Sequence, residues 1–71
     1  MSKSPSLTPK ELIKLLEQKG FVFDRSKGSH QVYYHQEKKL RVVVPMHTKD
    51  LPAGTLHAIL KQAGIDKSEL I

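Results

Sequence analysis

The sequence predicts an α+β domain of order α-β-β-β-α: a three-stranded antiparallel sheet with two helices on one face. Three observations carry this prediction. Apolar residues recur at helical spacing in two stretches, around Leu12–Leu16 and Leu56–Ala63. Between them lie three short runs rich in β-branched and aromatic residues. Only short polar connections separate those runs, which fits a meander of hairpins and leaves no room for crossovers.

Thr8-Pro9-Lys10-Glu11 supplies three helix-start signals together. Thr8 is the N-cap, Pro9 suits the first helical position, and Glu11 closes a capping box three residues after the cap. Leu12, Ile13, Leu15 and Leu16 form the apolar stripe, and Gly20 accepts the left-handed conformation that ends a helix. The first helix is therefore expected over about 9–19. Phe21–Arg25 reads as the first strand, with Ser26–Ser29 as a turn. His30–His35 is the second strand, followed by a polar turn through Lys39. Leu40–Val44 is the third strand, stopped by Pro45, which cannot donate to a ladder. After a basic loop, Met46–Leu51, a second helix runs from Pro52 or Ala53 to Ala63, with Gly64 as its stop. Leu56, Ile59, Leu60 and Ala63 fall at i, i+3, i+4 and i+7. Asp66-Lys67-Ser68-Glu69 repeats the capping-box pattern and predicts a last short turn. Residues 1–71 read as one domain, with 1–6 a flexible lead-in. The layout is that of the double-stranded-RNA-binding domain.

A 71-residue chain buries only roughly 60% of the surface its unfolded form exposes. At this size neither a deep cofactor cavity nor a two-domain cleft is expected, so any chemistry is expected at the surface. Twelve Lys and Arg against seven Asp and Glu leave a charge of +5, which favours a polyanionic partner such as nucleic acid. Cysteine is absent, which removes disulfides, thiolate nucleophiles, zinc knuckles and iron–sulfur clusters. A secreted domain this small would need such staples, so a cytoplasmic location is expected. No apolar run approaches the roughly 18 residues of a membrane helix, and Met1–Ser6 lacks the hydrophobic stretch of a signal peptide.

Histidine is the side chain whose ordinary titration lies nearest neutrality, so the four histidines are the first candidates for proton transfer. His30 follows Lys27-Gly28-Ser29. Gly28 allows close backbone approach to a ligand, Ser29 offers a hydroxyl and an N–H to a phosphate oxygen, and Lys27 adds a cation. RNA cleavage needs such a framed imidazole, as a base for the ribose 2′-OH or an acid for the leaving 5′-oxygen. The same tetrapeptide also reads as a plain turn before an exposed strand histidine. His35 has the opposite strand parity to His30, so the two cannot chelate one metal. His47, in the loop with Lys49, reads as a phosphate contact, a second proton-transfer group or a solvated loop residue. His57 lies off the apolar stripe and reads as a surface residue. Tyr33 and Tyr34 point to opposite faces, one toward the core and one available for base stacking. No metal-ligand spacing, nucleophilic triad or phosphate-cradling glycine loop occurs, so no metal and no cofactor are expected.

Four local patterns occur in order: Gly20-Phe21; Gly28-Ser29-His30-Gln31-Val32-Tyr33; Val44-Pro45-Met46-His47; and Gly54-Thr55-Leu56 with Ile59–Ile65. In these the chain resembles the HicA toxin family, the YcfA-like mRNA interferases of type II HicA–HicB toxin–antitoxin systems. The resemblance extends over about Leu7–Ile71. It implies ribosome-independent mRNA cleavage with His30 as the catalytic residue, and a HicB-like antitoxin that covers the site. Members often carry a glycine in the second turn, where this chain has Gln36-Glu37-Lys38-Lys39. The expected function is thus a toxin acting as a metal-independent endoribonuclease, with Lys27, Gly28, Ser29, His47 and Lys49 positioning RNA. The alternatives are an RNA-binding module that does not cut, and a toxin reduced to antitoxin binding.

Overall fold

The structure, a computed structural model, describes residues 7–47 and 49–66. Its elements are α1 (Pro9–Gln18), β1 (Val22–Lys27), β2 (His30–His35), β3 (Leu40–Pro45) and α2 (Ala53–Ala63). The strands form one antiparallel sheet in the order β1-β2-β3. The order and class are those the sequence predicts. The expected lead-in over 1–6 and most of the turn predicted after Ile65 lie outside the described residues.

Both expected bonds of the capping box at α1 are present. The Glu11 N–H donates to Thr8 Oγ1 at 3.1 Å, and the Thr8 N–H donates to Glu11 Oε1 at 2.9 Å. At the other end, Gly20 N–H donates to the Glu17 carbonyl and Phe21 N–H to the Leu16 carbonyl, with Gly20 at φ +97°. These two bonds define a Schellman closure, in which the residue after the glycine folds back onto the helix. Phe21 therefore docks in the core beside Leu16, so β1 begins one residue later than expected. α2 ends the same way: Gly64 has φ +70°, and Ile65 N–H donates to the Leu60 carbonyl.

β1 also runs two residues further than expected, through Lys27, and the turn shrinks to Gly28-Ser29. Lys27 pairs directly with His30 across this two-residue loop. Gly28, at φ +59°, takes the first loop position, as in a II′ hairpin whose twist matches the strands. Open space lies where its side chain would be, so the turn conformation alone accounts for glycine there. The second hairpin closes through 36–39, and Lys39 takes a positive φ of 55° in that turn, a conformation glycine adopts more readily.

Strand parity sorts the sheet into two faces. Tyr33, Val42 and Val44 are buried in one core cluster with Leu12 and Leu16 of α1 and Leu56, Ile59, Leu60 and Ala63 of α2. Both helices thus cover the same face. Leu12 and Leu16 are fully buried, each stabilising the fold by about 1.5–3 kcal/mol relative to exposure. The other face, with Val32, Tyr34, Arg41 and Val43, carries no helix among the described residues. At its edge, β1 is exposed along its whole length and bulges between Phe23 and Arg25.

Candidate active site

His30 begins β2 and shares the helix-free face with Val32 and Tyr34. Its direct neighbours across the sheet are Lys27 on β1 and Pro45 on β3. Directly opposed residues on an antiparallel pair project to the same side, so the Lys27 ammonium and the His30 imidazole flank one patch of surface. His30 is exposed. By the same parity Arg25 and Arg41 belong to this face, paired with Val32 and Tyr34. The Arg41 guanidinium lies 4.7 Å over the Tyr34 ring. Both arginines also reach Asp24, at 3.3 Å from Arg41 and 3.6 Å from Arg25. The carboxylate offsets part of their charge, while Lys27 stands at the His30 end.

One backbone bond brings in His47. Beyond Pro45, which has no N–H to give, the Met46 N–H donates to the Ser29 carbonyl at 2.7 Å. This extends the β2–β3 ladder by a rung and sets the chain after β3 alongside the Gly28-Ser29 turn. The His47 ring then lies 5.9 Å from the His30 ring, centroid to centroid, at an interplanar angle of 67°. Ser29 Oγ is 3.5 Å from His47 Nδ1, at the outer limit of hydrogen bonding. Lys27, Ser29, His30 and His47 are therefore one cluster, with Gly28 as the turn that shapes it.

Lys49 sits differently. It lines an open groove of about 180 Å³ with Met46 and with Thr8, Pro9 and Lys10 at the start of α1. Lys38 and Lys39 occupy the opposite end of the β2–β3 pair, about 17 Å of strand from His30. His57 is exposed on α2, in a groove of about 310 Å³ with Leu60, Lys61, Ile65 and Asp66. His35 points to the core, as its parity predicts, and is only 7% exposed. Its Nδ1 accepts the Lys38 N–H at 3.0 Å and its ring meets Phe21 edge-on at 5.2 Å. Tyr33 is the buried tyrosine, and burial, then the Glu17 carboxylate, hold its phenol above its ordinary value. Tyr34, the half-buried one, faces the Arg41 side of the sheet.

Arg25 was not legible as a neighbour of the site. A strand ending at Arg25 and a four-residue turn hid the parity that aligns it with Lys27. Among the described residues, no group of three or more His, Cys, Asp or Glu side chains is placed to hold a metal ion. Among them, too, no helix is long and apolar enough to cross a membrane.

An exposed imidazole pair beside a lysine, on the sheet face away from α1 and α2, can hold a phosphate and move protons at it. No curated protein matches the chain significantly. A family model for the HicA toxin of bacterial toxin–antitoxin systems matches residues 9–65 of the 71, from the start of α1 to the Ile65 that closes α2, and the chain belongs to the HicA toxin family.

Proposed function

We propose that this toxin is a metal-independent endoribonuclease that cleaves mRNA in the cytoplasm, with His30 as its proton-transfer residue. The observation that carries the reading is the His30 imidazole, exposed on the helix-free face directly across the ladder from Lys27. The lysine holds a phosphate, and the imidazole takes the 2′-OH proton. Ser29, exposed at the turn, adds polar contacts to the phosphate. Positioned proton transfer contributes about 10²–10⁴-fold, and orientation with charge stabilisation supplies the rest. Membership of a toxin–antitoxin family brings an antitoxin partner. A HicB-like protein that covers His30 and offers carboxylates to Arg25, Lys27 and Arg41 fits the charge of this face.

A second reading, RNA binding without cleavage, draws support from the Arg41–Tyr34 stack on the same face. One experiment separates the two. Labelled RNA is incubated with the wild type, His30→Ala and His57→Ala in the presence of EDTA, under single-turnover conditions. We expect His30→Ala to lose about 100-fold or more in rate with RNA binding little changed, and His57→Ala to stay within about threefold. A folded His30→Ala protein that cuts at the wild-type rate removes His30 from the chemistry. Cleavage lost entirely on chelation overturns the metal-free mechanism, and intact RNA with the wild type favours the binding module.

A further inference from the structure

We infer that His47 is the general acid of the reaction, protonating the 5′-oxygen that leaves, and that Ser29 positions it. The inference rests on the endoribonuclease reading and assigns the half of the proton traffic that His30 leaves open.

The argument begins with what transesterification at an RNA phosphate requires. The 2′-OH gives up its proton to a base, and the 2′-oxygen forms a bond to phosphorus. The bond from phosphorus to the 5′-oxygen breaks, and that oxygen takes a proton from an acid. The products are a 2′,3′-cyclic phosphate and a 5′-hydroxyl. The base ends protonated and the acid ends neutral, so protons and electron pairs balance without any further reactant. The attacking and leaving oxygens lie on opposite sides of the phosphorus. One imidazole fixed on one side serves one of them well, and a second group is needed for the other.

The site supplies that group. A ring separation of 5.9 Å lets both imidazoles reach oxygens of a single phosphate at heavy-atom contacts of about 2.6–3.2 Å. The two ring planes are inclined at 67°, so the rings are not stacked on one another. Roles follow from what each ring touches. Ser29 Oγ faces His47 Nδ1. A hydroxyl accepts from Nδ1–H of the imidazolium and donates to Nδ1 of the neutral ring, so it holds His47 both before and after proton release. In either state Nε2 is left to face the substrate, and in the imidazolium it carries the proton to be given. His30 stands beside Lys27, whose cation suits the non-bridging phosphate oxygens next to the attacking 2′-oxygen. Both histidines are exposed, so substrate has access to each. The Met46 N–H to Ser29 carbonyl bond fixes the two segments in this relation.

The test uses a leaving group that needs no acid. Single-turnover rates are measured for the wild type, His30→Ala, His47→Ala and His47→Gln on two RNAs. One is ordinary; in the other, sulfur replaces the bridging 5′-oxygen at the scissile phosphate, and a thiolate departs without protonation. Circular dichroism establishes that each variant is folded, and His47→Gln keeps a polar partner for Ser29 while offering no transferable proton. We expect both His47 variants to lose about 10²–10⁴-fold on ordinary RNA and to return to within about tenfold of the wild type on the sulfur-substituted RNA. His30→Ala should stay slow on both. Equal losses for the His47 variants on both RNAs would make His47 a phosphate contact and overturn the inference. Wild-type rates on ordinary RNA would overturn it too, and rescue of His30→Ala instead would reverse the roles. A wild-type protein that cuts neither RNA fails earlier, at the endoribonuclease reading, and takes this inference with it.

Discussion

Replacement of Gly20 by alanine tests how the end of α1 is tied to the sheet. Gly20 has φ +97°, and a Cβ built there would lie 2.8 Å from His35 Nε2. Two costs add. A side chain in this region of backbone space is strained by about 1–2 kcal/mol. The His35 ring must also move, which weakens its hydrogen bond from the Lys38 N–H, about 0.5–1.5 kcal/mol, and its edge contact with Phe21, of similar size. Alanine recovers a little through the smaller entropy of its unfolded chain. The net destabilisation is about 2–4 kcal/mol, a large share of the stability of a domain this small. It corresponds to a fall in Tm of roughly 10–30 °C. Urea unfolding of the wild type, Gly20→Ala, His35→Ala and the double variant measures it. With the ring gone, the clash is gone, so the double variant should cost at least about 1 kcal/mol less than the sum of the singles. A loss below about 0.5 kcal/mol for Gly20→Ala, or strict additivity, would show that His35 does not dictate the glycine.

Two further outcomes follow from the same structure. Lys39→Gly relieves a left-handed lysine and should raise stability by about 0.5–1 kcal/mol, measured by the urea midpoint; a decrease would mean the turn does not hold Lys39 at positive φ in solution. The Tyr33 phenol is held above its ordinary value, so the unfolded chain releases that proton first as pH rises. The stability tied to it is complete below about pH 10 and is lost as pH climbs through the folded-state value. Thermal melts of Tyr33→Phe should show a shallower alkaline decline than the wild type, and parallel declines would contradict the assignment.

Local chemistry made much of this fold readable. Thr8, Pro9 and Glu11 sit where a helix start needs them, and both capping bonds form. The α2 stripe is buried at Leu56, Ile59, Leu60 and Ala63 as its spacing predicts. What escaped the sequence depended on tertiary geometry. Phe21 is an ordinary strand former by composition, yet the Schellman closure at Gly20 folds it into the core. Ser26 and Lys27 resemble turn residues but pair with Gln31 and His30, which leaves only two residues to turn the chain. His30 and Ser29 were legible as a site because they are contiguous. His47 was only one candidate among several, because its approach is set by a backbone rung between Met46 and Ser29 that no side-chain pattern announces. Lys49 is close in sequence to His47 and turns toward α1 instead.

That rung between Met46 and Ser29 makes the site a product of strand alignment. The β1–β2 hairpin alone contains Lys27, Ser29 and His30, but His47 arrives only when β3 is zipped along its full length. A slip of β3 by two residues would keep its apolar side chains on the core face and still carry His47 about 7 Å along the strand, out of reach of Ser29. On the two-histidine chemistry inferred above, a nascent chain harbours no competent nuclease until its third strand has emerged and paired in register. On the same chemistry, a ligand able to shift β3 by that small distance would disarm the protein while leaving His30 exposed.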